Sequence, residues 1–164
     1  EPVRSVEQVK ENTVSIGNSG EYFVAAELER RGFTAAVPMS NTKDFDILAI
    51  NRETQRQIAI QVKTNRGKGK QWILNKKSEE LQGDNIYYVL IALNELEYPE
   101  YYIVESELVA KSVAEGYKLW MQHDGKNGKH QETSMRKFTF NSSKYDNILC
   151  LKAEDFKDNW EKLK

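Results

Sequence analysis

DFDILAI at residues 44–50 and QIAIQVKT at residues 57–64 are the two neighbouring stretches that decide the fold. Both have the apolar or alternating character of buried strands, and the polar turn between them predicts that the two strands pair. In the second strand, alternation directs Ala59, Gln61 and Lys63 to the face opposite its isoleucines. We therefore expect Asp46 to lie beside Gln61 and Lys63, where a carboxylate, an amide oxygen and an ammonium group would converge.

Such a polar set on adjacent buried strands indicates a chemical site, because it can hold a divalent metal and a water molecule beside a phosphate. Each residue also has a structural interpretation. Asp46 could end a strand or accept a hydrogen bond from a neighbouring amide. Gln61 and Lys63 could form the solvent side of an edge strand, where a lysine discourages pairing with another chain. The combination of all three favours the site.

A helix is predicted upstream at residues 19–31, opened by Asn18-Ser19-Gly20-Glu21 and closed by Gly32. Glu21 falls on the same face as the apolar residues of this helix, whereas Glu27 and Glu29 do not. Two interpretations of Glu21 remain open. It could belong to the site near Asp46, or it could complete a capping box with Asn18 as the N-cap.

These residues resemble the motif of the PD-(D/E)XK nuclease superfamily, which includes many restriction enzymes and Holliday-junction resolvases. In that motif an acidic residue ends one strand and an acidic-x-Lys triplet lies on the next. Asp46 matches the first acid, and the triplet is Gln61-Val62-Lys63, in which Gln61 replaces the usual acid. The resemblance covers residues 17–93. It implies an α/β, restriction-endonuclease-like domain with a central mixed sheet and helices on both faces.

The resemblance also implies a function, the metal-dependent hydrolysis of DNA phosphodiester bonds with Mg²⁺ or Mn²⁺. Asp46, the Gln61 side-chain oxygen and the Val62 backbone carbonyl would bind the metal. Lys63 would orient or deprotonate the attacking water, and Glu21 would bind a second metal or a metal-bound water. Resolvase-like enzymes work as dimers, so the likeness makes a homodimer an expectation by analogy.

Gln61 supports an alternative function, because a neutral amide binds a hard cation more weakly than a carboxylate does. The chain could be a catalytically inactive nuclease-fold module that binds nucleic acid or a protein partner. A third interpretation is a nuclease subunit whose specificity domain lies on another chain.

The charges are balanced overall, with a formal net charge of −1, but they are unevenly distributed. No acidic residue lies between Glu53 and Glu79, a stretch that contains seven basic residues, whereas residues 95–107 contain only acidic charges. We predict that Arg66, Lys68 and Lys70 contact the phosphates of DNA beside the metal site. The alternative is a solvated lysine loop.

The remaining sequence is expected to complete one domain over residues 1–164, because a chain of this length buries a substantial core. Residues 94–164 would be a family-specific elaboration, and residues 99–104 and 133–138 resemble elements of an uncharacterised bacterial family. Cys150 is the only cysteine, which fits a reducing cytoplasm. No apolar run reaches membrane-spanning length, so no membrane association is expected.

Further elements are predicted from apolar periodicity. Strands are expected at residues 34–38, 71–74, 85–93 and 101–104, a helix from a Ser106 cap, and a final helix at residues 153–163. The segment from His123 to His130 is predicted to be a surface turn. The aromatic residues Trp72, Trp120 and those between Tyr87 and Tyr102 are expected in the core.

Overall fold

The computed structural model of the chain describes residues 12–39, 45–141 and 145–164. Sequence-based expectations for residues 1–11 and 40–44, including Asp44, lie outside the described residues. In chain order the helices and strands are α1 (Thr13–Arg30), β1 (Phe33–Ala36), β2 (Ile47–Asn51), β3 (Gln57–Asn65), β4 (Gln71–Asn75), β5 (Ile86–Ala92), β6 (Glu100–Glu105), α2 (Ser106–Met121), β7 (Asp124–Gly125), β8 (Gly128–Lys129) and β9 (Met135–Thr139).

The main sheet has five strands in the order β1-β2-β3-β5-β6. The predicted pairing of β2 with β3 is confirmed, with Ile47 opposite Ile60 in an antiparallel ladder. β3 pairs in parallel with β5, and the other neighbours are antiparallel, so the sheet is mixed as expected. The parallel pair places Gln61 opposite Tyr88 and Lys63 opposite Leu90.

Helices cover both faces of this sheet, as the sequence predicts. On one face the buried Val24 and Leu28 of α1 pack in one cluster with Ile58 and Ile60 of β3. On the other face, α2 contributes side chains to a second cluster, which also contains residues of β5 and β6. Burial of each such aliphatic side chain contributes roughly 1.5–3 kcal/mol, so the two clusters hold α1 and α2 against β3 and β5.

A small second sheet, formed by β4 and β9, lies against the second cluster. Trp72 of β4 is buried, and its indole nitrogen donates a hydrogen bond to the Ile91 carbonyl at 3.0 Å. This bond satisfies the one polar atom of the tryptophan side chain, which confirms Trp72 as a core residue. It also fixes β4 beside the main sheet.

The start of α1 differs from the prediction. The N-cap is Asn12, whose side chain accepts a hydrogen bond from the Val14 amide at 3.0 Å, so the helix begins at Thr13 rather than at Ser19. Ser19 lies inside the helix because its hydroxyl donates to the Ile16 carbonyl at 2.7 Å and is satisfied without ending the helix. The end is as predicted, since Gly32 follows with φ +94°, a conformation that favours glycine.

The predicted helix at residues 153–163 is wrong. Two short 3₁₀ segments, Ala153–Asp155 and Trp160–Leu163, occupy this region. Asp158, with φ +53°, lies between them and prevents a continuous helix. Phe156, Trp160 and Leu163 are nevertheless buried, so the apolar pattern correctly identified residues that pack against the core.

Two smaller expectations near α2 can also be compared with the structure. Ser106 does not cap the helix, because Glu105 is the N-cap and the Ser106 hydroxyl bonds to the main chain of Gly83 instead. The segment from His123 to His130 is a short hairpin of β7 and β8, in agreement with the predicted turn. In the part of the chain described by the structure, no helix combines the length and apolar character needed to cross a membrane.

Candidate active site at the ends of β2 and β3

Asp46 immediately precedes β2 and forms part of a β-bulge. Its amide donates to the Ile60 carbonyl at 3.0 Å, although Ile60 is also the cross-strand partner of Ile47. Two consecutive residues therefore oppose one residue of β3, an arrangement that re-aims side chains. The Oδ2 atom of Asp46 accepts a hydrogen bond from the Val62 amide at 2.8 Å. The carboxylate is thus held against β3 by the main chain.

Gly20 allows α1 to approach the end of β3. A Cβ atom at this position would lie 1.9 Å from the Thr64 hydroxyl oxygen, a distance that no side chain tolerates. The close approach places the next residue, Glu21, at the same cleft as Asp46, Val62 and Lys63. We call this the first cleft, and its volume is about 650 Å³.

The capping interpretation of Glu21 is wrong. α1 is capped by Asn12, so Glu21 lies inside the helix and Asn18 is not an N-cap. The carboxyl group of Glu21 is half-buried at the first cleft. Of the two interpretations, the structure therefore retains only the position beside Asp46.

The charged groups of the first cleft influence one another. Burial raises the pKa of the Glu21 carboxyl, the negative charge of Asp46 raises it further, and the Lys63 ammonium acts in the opposite direction. Asp46 also acts on a residue of β5: burial and then the Asp46 charge raise the pKa of Tyr88 to about 12. Glu21, Asp46, Lys63 and Tyr88 thus form one electrostatically coupled group.

Gln61 lies at a neighbouring cleft, which we call the second cleft. Its lining includes Gln61 and Lys63 of β3, Tyr88 of β5, and Lys77 beyond β4, and its volume is about 650 Å³. Lys63 lines both clefts, so it stands where the two meet. The structure therefore brings Glu21, Asp46, Val62 and Lys63 together at the first cleft. Shared coordination of a metal by Asp46 and Gln61 stays a prediction.

The donor atoms around Lys63 suit a hard divalent cation. The Glu21 and Asp46 carboxylates, the Gln61 amide and the Val62 carbonyl all offer oxygen, the ligand atom that Mg²⁺ and Mn²⁺ prefer. Burial, and after it the charge of Asp46, raises the pKa of the Glu21 carboxyl, and a cation between the two carboxylates would relieve both effects. Among residues 12–39, 45–141 and 145–164, no three His, Cys, Asp or Glu side chains are grouped as a metal site. Among the described residues, those that line the first cleft offer two carboxylates, Glu21 and Asp46.

The predicted phosphate-binding residues lie beside acidic residues of the loop between β5 and β6. Arg66 pairs with Glu95 at 3.0 Å, and Lys68 pairs with Glu97 at 3.2 Å. Burial disfavours ionised Glu100, but hydrogen bonds from Lys157 and Tyr102 and the charges of Lys157 and Lys70 outweigh this effect and lower its pKa. Arg66 also lines the first cleft, whereas the residues lining the two clefts do not include Lys68 or Lys70.

Sequence reasoning missed two residues of the second cleft. Tyr88 was expected only as a core aromatic, and it is buried, but it also lines the cleft and responds to the charge of Asp46. Its place depends on the pairing of β3 with β5 across the intervening residues 66–85, which no local pattern reports. Lys77 was counted among the basic residues without a role, although it lies two residues after the end of β4 and lines the same cleft.

Comparisons with known proteins agree with this architecture. No family model matches the sequence, and no curated protein matches it significantly. A bacterial homing endonuclease has a similar structure, with a TM-score of 0.53, 10% sequence identity, and coverage of 93% of this chain and 91% of that chain.

The Holliday junction resolvase of the archaeal hyperthermophile Archaeoglobus fulgidus is more distant, with a TM-score of 0.45, 15% identity, and coverage of 75% of this chain and 83% of that chain. The mixed sheet, the helices on its two faces and the similarity to the homing endonuclease over nearly the whole of both chains lead to one conclusion. This chain has an α/β, restriction-endonuclease-like fold with a central mixed sheet.

Proposed function

We propose that the chain is a nuclease that hydrolyses phosphodiester bonds of DNA with the help of Mg²⁺ or Mn²⁺. The observation that carries this proposal is the meeting of Glu21, Asp46 and Lys63 at the first cleft, two carboxylates and an ammonium group from three different elements. The similar bacterial structure is a homing endonuclease, which supports action on DNA. The shared fold alone would leave the activity open.

Each residue has a role in this proposal. Asp46, the Gln61 side-chain oxygen and the Val62 carbonyl would hold the ion, which would supply Lewis-acid activation of the phosphate and of the attacking water. Lys63 would position that water and stabilise negative charge that develops on the phosphate. Glu21 would bind a second ion or a water molecule on the first. The hydrogen bond from Val62 keeps the Asp46 carboxylate in place before substrate arrives.

Gln61 favours a second candidate function, that of a nuclease-fold module that binds nucleic acid or protein without cleaving. The amide supplies a neutral oxygen where the related motif supplies a charge. Loss of one negative charge weakens the attraction for a divalent ion, and the effect is greater in a half-buried site than in water. A binding module would retain affinity for DNA and show no metal-dependent cleavage.

Cleavage assays distinguish the two functions. Wild-type protein should cleave at least one of linear, supercoiled or branched DNA when Mg²⁺ or Mn²⁺ is present, and none after chelation of the metal. Asp46→Asn and Lys63→Met should each lower the rate at least a hundredfold, because the first removes a charge that would hold the ion and the second removes a charge that would stabilise the phosphate. Asp124→Asn and Lys111→Met make the same changes at exposed positions of the hairpin and α2, and they should leave the rate unchanged.

DNA that stays intact with wild-type protein under all these conditions would favour the binding module. Equal losses of rate in the site variants and in the two control variants would also count against the assignment, since they would indicate a general effect of charge.

A further inference from the structure

We propose that the second cleft binds the nucleotide adjacent to the cleaved phosphate, and that Lys77 contacts the phosphate of that nucleotide. This inference rests on the proposed function, because it places a DNA strand across Lys63. It adds Lys77 to the phosphate contacts that the sequence predicts at Arg66, Lys68 and Lys70.

The first argument is the position of Lys63, which lines both clefts. A phosphate bound at Lys63 lies at the junction of the clefts. The strand that carries this phosphate therefore continues from the first cleft, beside Asp46, into the second cleft, beside Gln61 and Tyr88. The second cleft, at about 650 Å³, is large enough to hold a nucleoside, since small-molecule pockets have volumes of about 300–1,000 Å³.

The second argument is the distribution of ion pairs. Lys68 is paired with Glu97, and Lys76 lies 3.6 Å from Glu132. Lys77 forms no ion pair with any residue that the structure describes. The adjacent Glu79 pairs instead with Arg136, which withdraws that carboxylate from the cleft. A phosphate at Lys77 thus gains an ionic contact without breaking an existing one.

The third argument is the chemistry of the lining. The side-chain oxygen of Asn75 accepts a hydrogen bond from the Lys77 amide at 2.9 Å, which fixes the main chain of the lysine at the edge of the cleft. Tyr88 also lines the cleft, and a phenol hydroxyl can donate to a phosphate or a sugar oxygen. Phe45 and Leu74 supply apolar surface for the flat faces of a base.

Glu80 offers a second test of phosphate binding in the second cleft, because its carboxylate is the acidic group among the residues that line this cleft. Its charge repels a phosphate there. Neutralisation of Glu80 should therefore strengthen DNA binding, whereas neutralisation of Lys77 should weaken it.

The test is DNA affinity measured by fluorescence anisotropy over a range of salt concentrations, with the metal chelated so that no cleavage occurs. Lys77→Gln should weaken binding by roughly two- to fivefold, the size of one exposed ionic contact. It should also lower the slope of log affinity against log salt by about 1. Glu80→Gln should tighten binding. Lys111→Gln is the matched control, with the same loss of charge at an exposed lysine of α2 that lines neither cleft, and it should change neither quantity.

An unchanged affinity in Lys77→Gln, an equal or larger loss in Lys111→Gln, or no DNA binding by wild-type protein at low salt would overturn the inference. The cleavage assay is read separately. Cleavage without any Lys77 effect on binding would refute only this inference, whereas Lys77-dependent binding without cleavage would refute only the catalytic proposal.

Discussion

Asp46 accepts a hydrogen bond from the Val62 main-chain amide at 2.8 Å, so one carboxylate both ties β2 to β3 and faces the first cleft. Asp46, the proposed metal ligand, therefore also contributes to the pairing of β2 with β3. Substitutions at Asp46 change two properties, and variants have to be chosen to separate them.

Asp46→Ala should lower the free energy of unfolding by about 1–3 kcal/mol, because the Val62 amide loses its acceptor in a half-buried place. Asp46→Asn retains an acceptor oxygen and should cost much less, while it still removes the charge needed for metal binding. Urea unfolding of the two variants measures the difference. Equal stability of Asp46→Ala and wild type would show that the hydrogen bond contributes nothing.

The titration of Glu21 should respond in opposite directions to its two charged neighbours. Asp46→Asn removes a negative charge and should lower the pKa of Glu21, whereas Lys63→Met removes a positive charge and should raise it. Carboxyl chemical shifts followed by NMR through the acidic range give both values. A Glu21 pKa that is indifferent to both substitutions would mean that the three side chains are not neighbours.

Stability should depend on pH through the same carboxyl group. Because the folded pKa of Glu21 is raised above its ordinary value of 4.5, the folded state favours the protonated form. This contribution to stability is complete below the ordinary value and is lost as the pH rises through the raised value. Glu21→Gln should therefore become more stable relative to wild type as the pH rises from the ordinary pKa of 4.5 through the raised one, as measured by chemical denaturation. The opposite trend would contradict the raised pKa.

Gly20→Ala should destabilise the protein by about 1–3 kcal/mol and lower cleavage, because the added methyl group meets Thr64 and pushes Glu21 from the first cleft. Gly17→Ala is the matched control in the same helix. A Cβ there has no other atom within 4 Å, so the variant should instead gain about 0.5–1 kcal/mol of helix stability. Thermal unfolding compares them, and equal effects would remove the argument for close approach.

Gln61→Glu should tighten Mn²⁺ binding about tenfold or more, because it adds a charged oxygen ligand two residues from Lys63 on β3. Gln57→Glu adds the same charge on the same strand at an exposed position and should have little effect. Titration calorimetry measures both affinities. If Gln61→Glu binds Mn²⁺ no better than wild type, Gln61 does not lie in the metal's ligand set.

The sequence predicted the paired strands and the alternation along β3 because both depend on local periodicity. It placed the helix start incorrectly because Ser19 resembles a capping residue, although its hydroxyl bonds within the helix. The basic stretch with Arg66 and Lys68 and the acidic stretch with Glu95 and Glu97 were interpreted as separate features of the sequence. In the structure they lie on neighbouring loops, where Arg66 pairs with Glu95 and Lys68 pairs with Glu97. Complementary charge runs were visible, but their pairing depends on the register of β3 and β5.

The sequence predicted only part of the candidate site, because sequence patterns report local periodicity and not tertiary packing. Asp46 and Lys63 carry a short motif that local strand patterns can reveal. Tyr88 and Lys77 reach the site only through β5 and the segment after β4, and their positions follow from tertiary packing. No sequence pattern predicts the bulge at Asp46, which directs its carboxylate to the Val62 amide.

The most direct measurement is the anomalous diffraction of crystals soaked in Mn²⁺ at the concentration used for cleavage. We expect a peak at the end of β3, bound by the Asp46 carboxylate and the Val62 carbonyl, with the Gln61 amide oxygen within coordination distance. Crystals of Asp46→Asn soaked in the same way should show a much weaker peak. No peak at Asp46 in the wild-type crystals, or a Mn²⁺ ion bound only elsewhere on the chain, would contradict the metal site on which the proposed nuclease activity depends.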